Sequence, residues 1–504
     1  MNILLVNPEF PDTYWSFRHA LPFEGKRCVF PPLGLLTVSS LLPEAHQRRL
    51  VDLNIEPLHK EQLQWADMVF VTGMLAQKTS LHSVVRQAKE LGKTVVLGGP
   101  YVTSTIEELP HADHIFQGEA ETTLPQFFID LANGASKRVY KAAERPPMNI
   151  SPIPDFGLVD LKSYSCMSIQ YSRGCPFSCE FCDIIEIYGR VPRTKSNHQV
   201  LTELDAIKKL GWRGPLFIVD DNFIGNKKNV RQLVPALVDW QKQNGYPNSF
   251  LTEASVNLAD DDELLSNMRD AGFRRVFLGI ETPVEESLKE AQKTQNRGNL
   301  LDSVKKIQSY GMEVMAGFIV GFDNDPDDIF ERQINFIRES AIPLAMVGML
   351  NALPDTQLWR RLEREGRLLG EDATGNNTIS TVNFIPKMDV ATLVNGYQRI
   401  MKTIYTPREY YGRVLESLKR TVHDTAEASP YNLRQEIKAL FRLLLKLGVV
   451  DEERKEFWRF LIQAVRKHHD RLTEAFRLAA MGYHFRKLND SYEPFENVEP
   501  TILA

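Results

Sequence analysis

Three scarcities bound what this chain of 504 residues can be. No apolar run approaches the roughly 18 residues that a membrane span needs. The opening MNILLVNP has no basic stretch followed by a long apolar one, so the expectation is a soluble, cytoplasmic protein without a transmembrane segment. Charge of one sign is not in excess: 60 Lys and Arg against 65 Asp and Glu leave −5, which argues against a protein that grips nucleic acid by neutralising phosphates. Cysteine is the third scarcity. Five thiols, an odd number in a chain without a secretion signal, argue against a disulfide framework. Cys28 and Cys166 are isolated, whereas Cys175, Cys179 and Cys182 fall within eight residues, a clustering that points to metal or redox chemistry in a reducing compartment.

What the chain does have is a regular alternation of apolar and amphipathic segments. The length predicts about three domains. In the first part, Asn2–Val6, Arg49–Asp52, Met68–Thr72, Thr94–Leu97 and His114–Phe116 read as parallel strands buried on both faces, separated by helical segments such as Leu81–Leu91. That pattern predicts a doubly wound α/β sheet with its ligand edge at the strands' carboxyl ends. Gly73-Met74, Gly98-Gly99-Pro100 and Gly118-Glu119 lie there, and glycine lets a ligand approach the backbone closely. A Pro-rich connector around Glu144–Phe156 follows. Met167–Gln170, Leu216–Val219, Phe250–Ala254, Val276–Ile280, Val314–Ile319 and Ala345–Leu350 then predict a partial barrel of six β/α units. Six is fewer than a closed barrel of eight, so a laterally accessible interior is expected. Beyond Pro354 the sequence reads as helices, Leu433–Leu447 and Phe457–Met481 among them, with a fraying tail from Asn489 to Ala504. The expected boundaries are 1–143, a linker 144–164, the barrel 165–358 and a helical region 359–504.

The decisive segment is YSRGCPFSCEFCDIIEIYGRVPRTK, Tyr171–Lys195, whose CxxxCxxC spacing follows the first barrel strand. Thiolates at i, i+4 and i+7 of one loop can converge on one metal centre. On a 4Fe-4S cubane, three thiolates leave one iron open to an exogenous chelate. A structural zinc site would want a fourth protein ligand, for which His198 is a weak candidate.

With these residues in view, the chain resembles the radical S-adenosylmethionine (SAM) superfamily over residues 165–355. The resemblance implies a 4Fe-4S cluster on Cys175, Cys179 and Cys182, with Phe181 beside it as a first SAM contact. It implies SAM contacts at strand ends further along, Asp221 and Asn222 in VDDN, Glu253 and Ser255, Glu281 in GIE, and Ile319 in GFIVGF. Carboxylates there would meet the ammonium and ribose hydroxyls of SAM.

A Rossmann-like domain directly before such a barrel resembles the cobalamin-binding branch of the superfamily. That resemblance implies cobalamin contacts at Thr72, Gly73, Met74, Gly98, Gly99, Pro100, Gly118 and Glu119. One departure stands out: where the family's cobalt-ligating form has DxHxxG, this chain has Asp52-Leu53-Asn54, which implies a cobalamin whose lower face has no His ligand. The strings IVDDNFIGNKK, TEASVNLADD and LPDTQLWRRLEREGRL extend the resemblance to a subgroup with a carboxyl-terminal helical domain, similar to the hopanoid 2-methylase group. It supports a carbon methyltransferase more strongly than a hopanoid substrate.

The implied reaction has a deoxyadenosyl radical take a hydrogen from the substrate, the substrate radical take a methyl group from methylcobalamin, and a second SAM restore the carrier. A small-molecule substrate, a hydrophobic one among the options, and a low-potential donor such as flavodoxin or ferredoxin are the expected partners, with no nucleic acid. A cyclase or rearrangement enzyme without methyl transfer, and a cobalamin sensor with an inactive barrel, remain alternatives. A methylthiotransferase would need further cluster cysteines in the first domain, where only Cys28 lies. Tyr405, Tyr410 and Tyr411 are candidate substrate contacts at the barrel mouth.

Overall fold

The computed structural model describes residues 1–105, 109, 111–369, 375–376, 378, 382–421 and 433–490. Six parallel strands build the first layer: β1 (Asn2–Asn7), β2 (Gln47–Asp52), β3 (Met68–Thr72), β4 (Thr94–Gly98), β5 (His114–Gln117) and β6 (Val139–Lys141). Their order is β2-β1-β3-β4-β5-β6. Alternate residues serve opposite faces: Leu4, Val6, Val69, Val71, Val95 and Leu97 pack with the helix Lys78–Glu90, whereas Ile3, Leu5, Phe70 and Val96 pack with the helices Leu33–Leu41 and Thr123–Ala132. The order reverses between β1 and β3, which opens a crevice beyond their carboxyl ends. β6 escapes the sequence reading because three residues inside SKRVYKAAE carry no strand period of their own.

The second sheet has the order β14-β13-β12-β11-β10-β7, all parallel. Its strands are β7 (Met167–Ile169), β10 (Gly214–Ile218), β11 (Asn248–Ala254), β12 (Phe273–Glu281), β13 (Glu313–Val320) and β14 (Ala345–Met349). A small antiparallel hairpin, β8 (Ser172–Arg173) with β9 (Arg193–Thr194), stands after β7.

The expected lateral opening between β14 and β7 is covered. Residues 14–30 leave the first layer and cross that gap as a strap. At one end the Tyr14 hydroxyl donates to the Val347 carbonyl of β14 at 2.7 Å. At the other, the Ser165 and Cys166 N–H groups donate to the carbonyls of Cys28 and Val29 just before β7. Aromatic side chains drive the crossing: Trp15 stacks on Phe217 of β10 at 6.1 Å and lies 5.3 Å from Phe277 of β12, while Phe30 lies 5.1 Å from Phe217.

The carboxyl-terminal helices pack on the other end of the barrel. The Tyr405 hydroxyl accepts the Ala345 N–H at 3.1 Å and donates to its carbonyl at 2.8 Å, and Ala345 is the first residue of β14. The Tyr410 hydroxyl donates to the Leu478 carbonyl and Tyr411 stacks on Phe460. These three tyrosines are therefore packing residues at the strands' amino ends, not contacts at the mouth, because burial of their rings pairs them with helices rather than with the cavity. The expected helix Phe457–Met481 is two, Arg454–Lys467 and Leu472–Asp490. The break at His468 lets buried Arg471 reach back to the Leu418 carbonyl at 3.4 Å. Of the expected fraying tail, residues 491–504 lie outside the described residues.

Candidate active site

The loop bearing the three thiols leaves through β8 and returns through β9, so the hairpin fixes both ends. Its first turn demands glycine: Gly174 has φ +95°, and a Cβ there would fall 2.8 Å from the Gly189 carbonyl oxygen. Two adjacent carboxylates at the end of β10 hold it. Asp220 accepts the Tyr171 N–H and the Ser172 hydroxyl, each at 2.7 Å. Asp221 accepts the Gly174 N–H at 2.8 Å. Burial pushes these two up to about 6 and about 7 respectively, against the pull of the N–H donors. Asp221, expected to meet SAM, is thus engaged with the cysteine loop.

The sulfurs themselves receive amide donors. Asn222 Nδ2 donates to Cys175 Sγ at 3.9 Å and Gln295 Nε2 to Cys179 Sγ at 3.4 Å. Burial pushes the Cys175 thiol up and the Cys182 thiol well above the ordinary range, so a centre that removes their protons must return free energy for doing so. Burial alone would lower Lys293, but Glu281, at 2.6 Å, and the neighbouring Cys179 hold it above the ordinary range, so it stands as a cation near the sulfurs. Three thiols of one loop, two of them facing amide N–H donors beside a buried cation, form a donor set suited to an anionic thiolate cluster. Among the described residues no three Cys, His, Asp or Glu converge as a single ion requires.

A cavity of about 680 Å³ lies above this loop. From the barrel it receives Phe181, Glu253, Glu281 and Ile319, four of the seven residues expected to meet SAM. Glu281 sits where β12 slips in register against β13, with φ +62°, and this bulge turns its carboxylate toward Lys293. Burial, and then repulsion from Asp221 and Asp220, push Glu253 up to about 8. Asn222 and Ser255 lie just outside the cavity, joined by Asn222 Nδ2 to Ser255 Oγ at 3.1 Å and by the Ser255 N–H to Asn222 Oδ1 at 3.2 Å.

The first sheet faces the same cavity with Met74 and Pro100, and with Asn54, Leu75, Tyr101 and Ser104, which the sequence reading did not single out as contacts. Thr72, Gly73, Gly98, Gly99 and Gly118 lie behind this rim. Gly99 has φ +99° and ψ 179°, and a Cβ there would stand 2.3 Å from Thr72 Oγ1, so the turn into Pro100 admits glycine alone. Gly118 has φ +87° and open space over its Cα.

Glu119 needs correction as a cofactor contact. Its Oε2 accepts from Arg173 at 2.6 Å and its Oε1 from Arg193 at 2.6 Å, while Glu121 meets Arg173 at 2.8 Å. These arginines flank the cysteine loop on β8 and β9, so Glu119 clamps the sheet to the cluster hairpin and has no free oxygen for a ligand. Sequence reasoning also missed Trp15 and Phe30, which wall the cavity, and the pair Lys293 and Gln295. The aromatic density of YWSF, outside any strand or helix period, was the readable signal for the first. A lone Lys-Thr-Gln-Asn run offers none for the second.

Comparisons with known proteins agree with this geometry. Residues 28–128 match the B12 binding domain, 169–337 the radical SAM superfamily and 356–494 a domain of unknown function, DUF4070. An uncharacterized methyltransferase of Synechocystis sp. is 42% identical over 522 residues, covering 100% of this chain and 97% of its own. The hopanoid C-2 methylase of Rhodopseudomonas palustris is 36% identical over 473 residues, covering 92% and 89%. In fold, the chain is similar to the cobalamin-dependent SAM radical enzyme OxsB with aqua-cobalamin and SAM bound, at a TM-score of 0.61 and 16% identity, covering 97% of this chain and 84% of that one. Sharing both domains and near full-length similarity with named methylases, the chain is an enzyme of the cobalamin-dependent radical SAM family, in the branch that carries a helical carboxyl-terminal domain.

Proposed function

We propose that the enzyme transfers a methyl group to an unactivated carbon of an apolar small molecule. The observation that carries this reading is the single cavity joining the sheet edge, the carboxylates above the cysteine loop and an aromatic wall of Trp15, Phe30, Phe217 and Phe277. A methyl carrier, a radical source and an acceptor must meet within one enclosure for such a reaction. The wall can bury ring or chain carbons and offers no charged partner of its own. A relative named for methylation of hopanoid carbon C-2 points toward the same class of acceptor.

In this reading Cys175, Cys179 and Cys182 hold the 4Fe-4S cluster. Glu253, Glu281, Phe181 and Ile319 bind SAM, with Asn222 and Ser255 behind them. Met74 and Pro100 touch cobalamin, with Thr72, Gly73, Gly98, Gly99 and Gly118 shaping the edge. When bound, these groups supply a carbon-centred radical and a transferable methyl group. The chain's own residues bind, orient and exclude water; no protein nucleophile or base is required. Glu253 and Glu281 offset the positive charge of SAM, and Phe181 and Ile319 cover its apolar faces. Asn54, standing where a His would ligate cobalt, accepts the Phe10 N–H at 2.9 Å and donates to the Pro8 carbonyl at 3.2 Å and to Asp52 at 2.7 Å. We therefore assign cobalamin a lower face without a protein ligand. We place the domain boundaries near 143 and 358. The radical chemistry needs a low-potential donor such as flavodoxin or ferredoxin, and a loop of three cluster thiols suits a reducing, cytoplasmic setting.

The test uses anaerobically reconstituted enzyme, cobalamin, a one-electron reductant and SAM labelled in its methyl group, with candidate polycyclic lipids. Formation of 5′-deoxyadenosine together with labelled product is the expected result. Deoxyadenosine with product that carries no label would favour a cyclase or rearrangement, and neither product nor deoxyadenosine would sink the radical reading altogether.

A further inference from the structure

Exposed large apolar side chains of the described residues are scattered singly except in one region. Among the described residues, nine of nineteen exposed large hydrophobics fall between 433 and 467, so this patch is not ordinary scatter. Leu433, Ile437, Phe441 and Leu445 recur every four residues along the helix Leu433–Leu445, a stripe on one face, with Leu433 72% and Phe441 66% exposed. Further exposed apolar residues follow, Val449 and Val450 in the π-helical segment Lys446–Val450 and Trp458, Ile462 and Val465 on the helix Arg454–Lys467. The second helix packs on that segment: the Trp458 indole N–H donates to the Gly448 carbonyl at 2.8 Å, and its ring lies 2.9 Å from where a Cβ on Gly448 would stand.

Charge chooses among possible occupants. Residues 433–467 hold nine Lys and Arg against five Asp and Glu, although the whole chain is at −5. Arg434, Lys438, Lys455, Arg459 and Arg466 are exposed beside the stripe. Three of the five acids, Asp451, Glu452 and Glu453, are confined to the segment between the helices, and Asp451 is paired with Arg486. Two copies meeting through this face would bring like charges together, whereas an anionic bilayer offers apolar depth under a negative surface. Trp458 is the side chain suited to that boundary.

We propose that this helical hairpin seats the enzyme on an anionic lipid bilayer. The position has a consequence for the cavity. The first helix packs on Leu21–Glu24 of the strap, where Arg442 Nη1 donates to the Phe23 carbonyl at 3.4 Å, and the same strap carries Trp15 and Phe30 into the cavity wall. Docking therefore sets the cover of the barrel's open side next to lipid. The docking itself does not depend on the identity of the methyl acceptor and is measured without turnover.

Full-length reconstituted enzyme is mixed with vesicles of phosphatidylcholine alone or with phosphatidylglycerol added, and vesicles are floated. Flotation with the anionic vesicles only, reversed by high salt, is expected. Phe441→Ser with Leu445→Ser should weaken it about tenfold or more, as should Lys438→Glu with Arg459→Glu, while thermal unfolding and 5′-deoxyadenosine formation stay at wild-type values. Brominated lipid chains should quench a fluorescence component that Trp458→Phe removes. Flotation that is absent at low salt, or unchanged in both double variants, overturns the proposal. So does a wild-type dimer, seen by sedimentation, that ignores vesicles and dissociates in the Phe441→Ser, Leu445→Ser variant, because the face would then join two copies.

Discussion

Two sheet edges confront each other across the cavity, and they are built from opposite materials. The barrel edge presents thiols, carboxylates and a buried ammonium, nearly all in hydrogen bonds to neighbours. The first sheet presents Met74, Leu75, Pro100 and Tyr101 in front of glycine turns, with Glu9 and Asn54 past its strand ends. One edge manages charge on a reacting centre; the other gives backbone clearance to a large flat ligand. A substitution on the first should therefore abolish chemistry with little regard to shape, and one on the second should act through shape and folding alone.

The largest effect is expected at the thiols. Cys179→Ala should remove bound iron and sulfide and all 5′-deoxyadenosine formation, yet leave cobalamin binding close to that of the wild type. Iron analysis, a deoxyadenosine assay and cobalamin titration of the same preparation measure this. Loss of cobalamin along with iron would show that the two edges are not separate devices.

Next comes the clamp between them. Glu119→Gln leaves Arg193, and in part Arg173, buried without a counter-charge, which typically costs about 3 kcal/mol. Urea unfolding should register that loss. Unfolding no earlier than wild type would mean that the edges are held together by something other than this clamp.

Gly99→Ala probes the glycine edge by itself. The ε-region backbone and the overlap with Thr72 Oγ1 predict destabilisation of about 1–3 kcal/mol, with weaker cobalamin binding and an unaltered iron content. A fully loaded, equally stable variant would show that the turn can adapt, and the contrast between the edges would weaken.

How much of this was legible follows from how local each signal is. The thiol spacing and the strand ends are written within a few consecutive residues, and the six barrel strands fall within a few residues of their sequence ranges. The strap is different. Trp15 owes its place to Phe217 and Phe277, more than 200 residues on, and to an open barrel side that only the strand order reveals. Glu119 read as a ligand contact because its neighbours are glycines at a sheet edge; the arginines that consume it arrive with a hairpin that is itself only two residues per strand. Tyr405 misled for the converse reason, since aromatic residues near a presumed mouth give no hint of which barrel end their helix covers.

The smallest expected effect separates the edges by pH. Glu253, pushed up to about 8 by burial and then by Asp221 and Asp220, is held as the neutral acid at neutral pH. Because its folded-state value lies above the ordinary carboxyl range, its contribution to folding is fully present below about 4.5 and is lost as pH rises through about 8. A cationic ligand reverses the preference: SAM favours the ionised carboxylate, so binding releases a proton below about 8. Its affinity should rise by up to tenfold per pH unit toward 8 and level off beyond. Glu253→Gln should flatten that slope. Cobalamin, seated on an edge whose cavity-facing contacts Met74 and Pro100 carry no titrating group, should bind with the same affinity across the range. Equilibrium binding of each ligand from pH 6 to 9 decides it: a slope for SAM that survives in Glu253→Gln would move the titrating group elsewhere, and a slope for cobalamin would bring in a further group of the cavity lining, Glu9 or Asp12, beyond the two contacts.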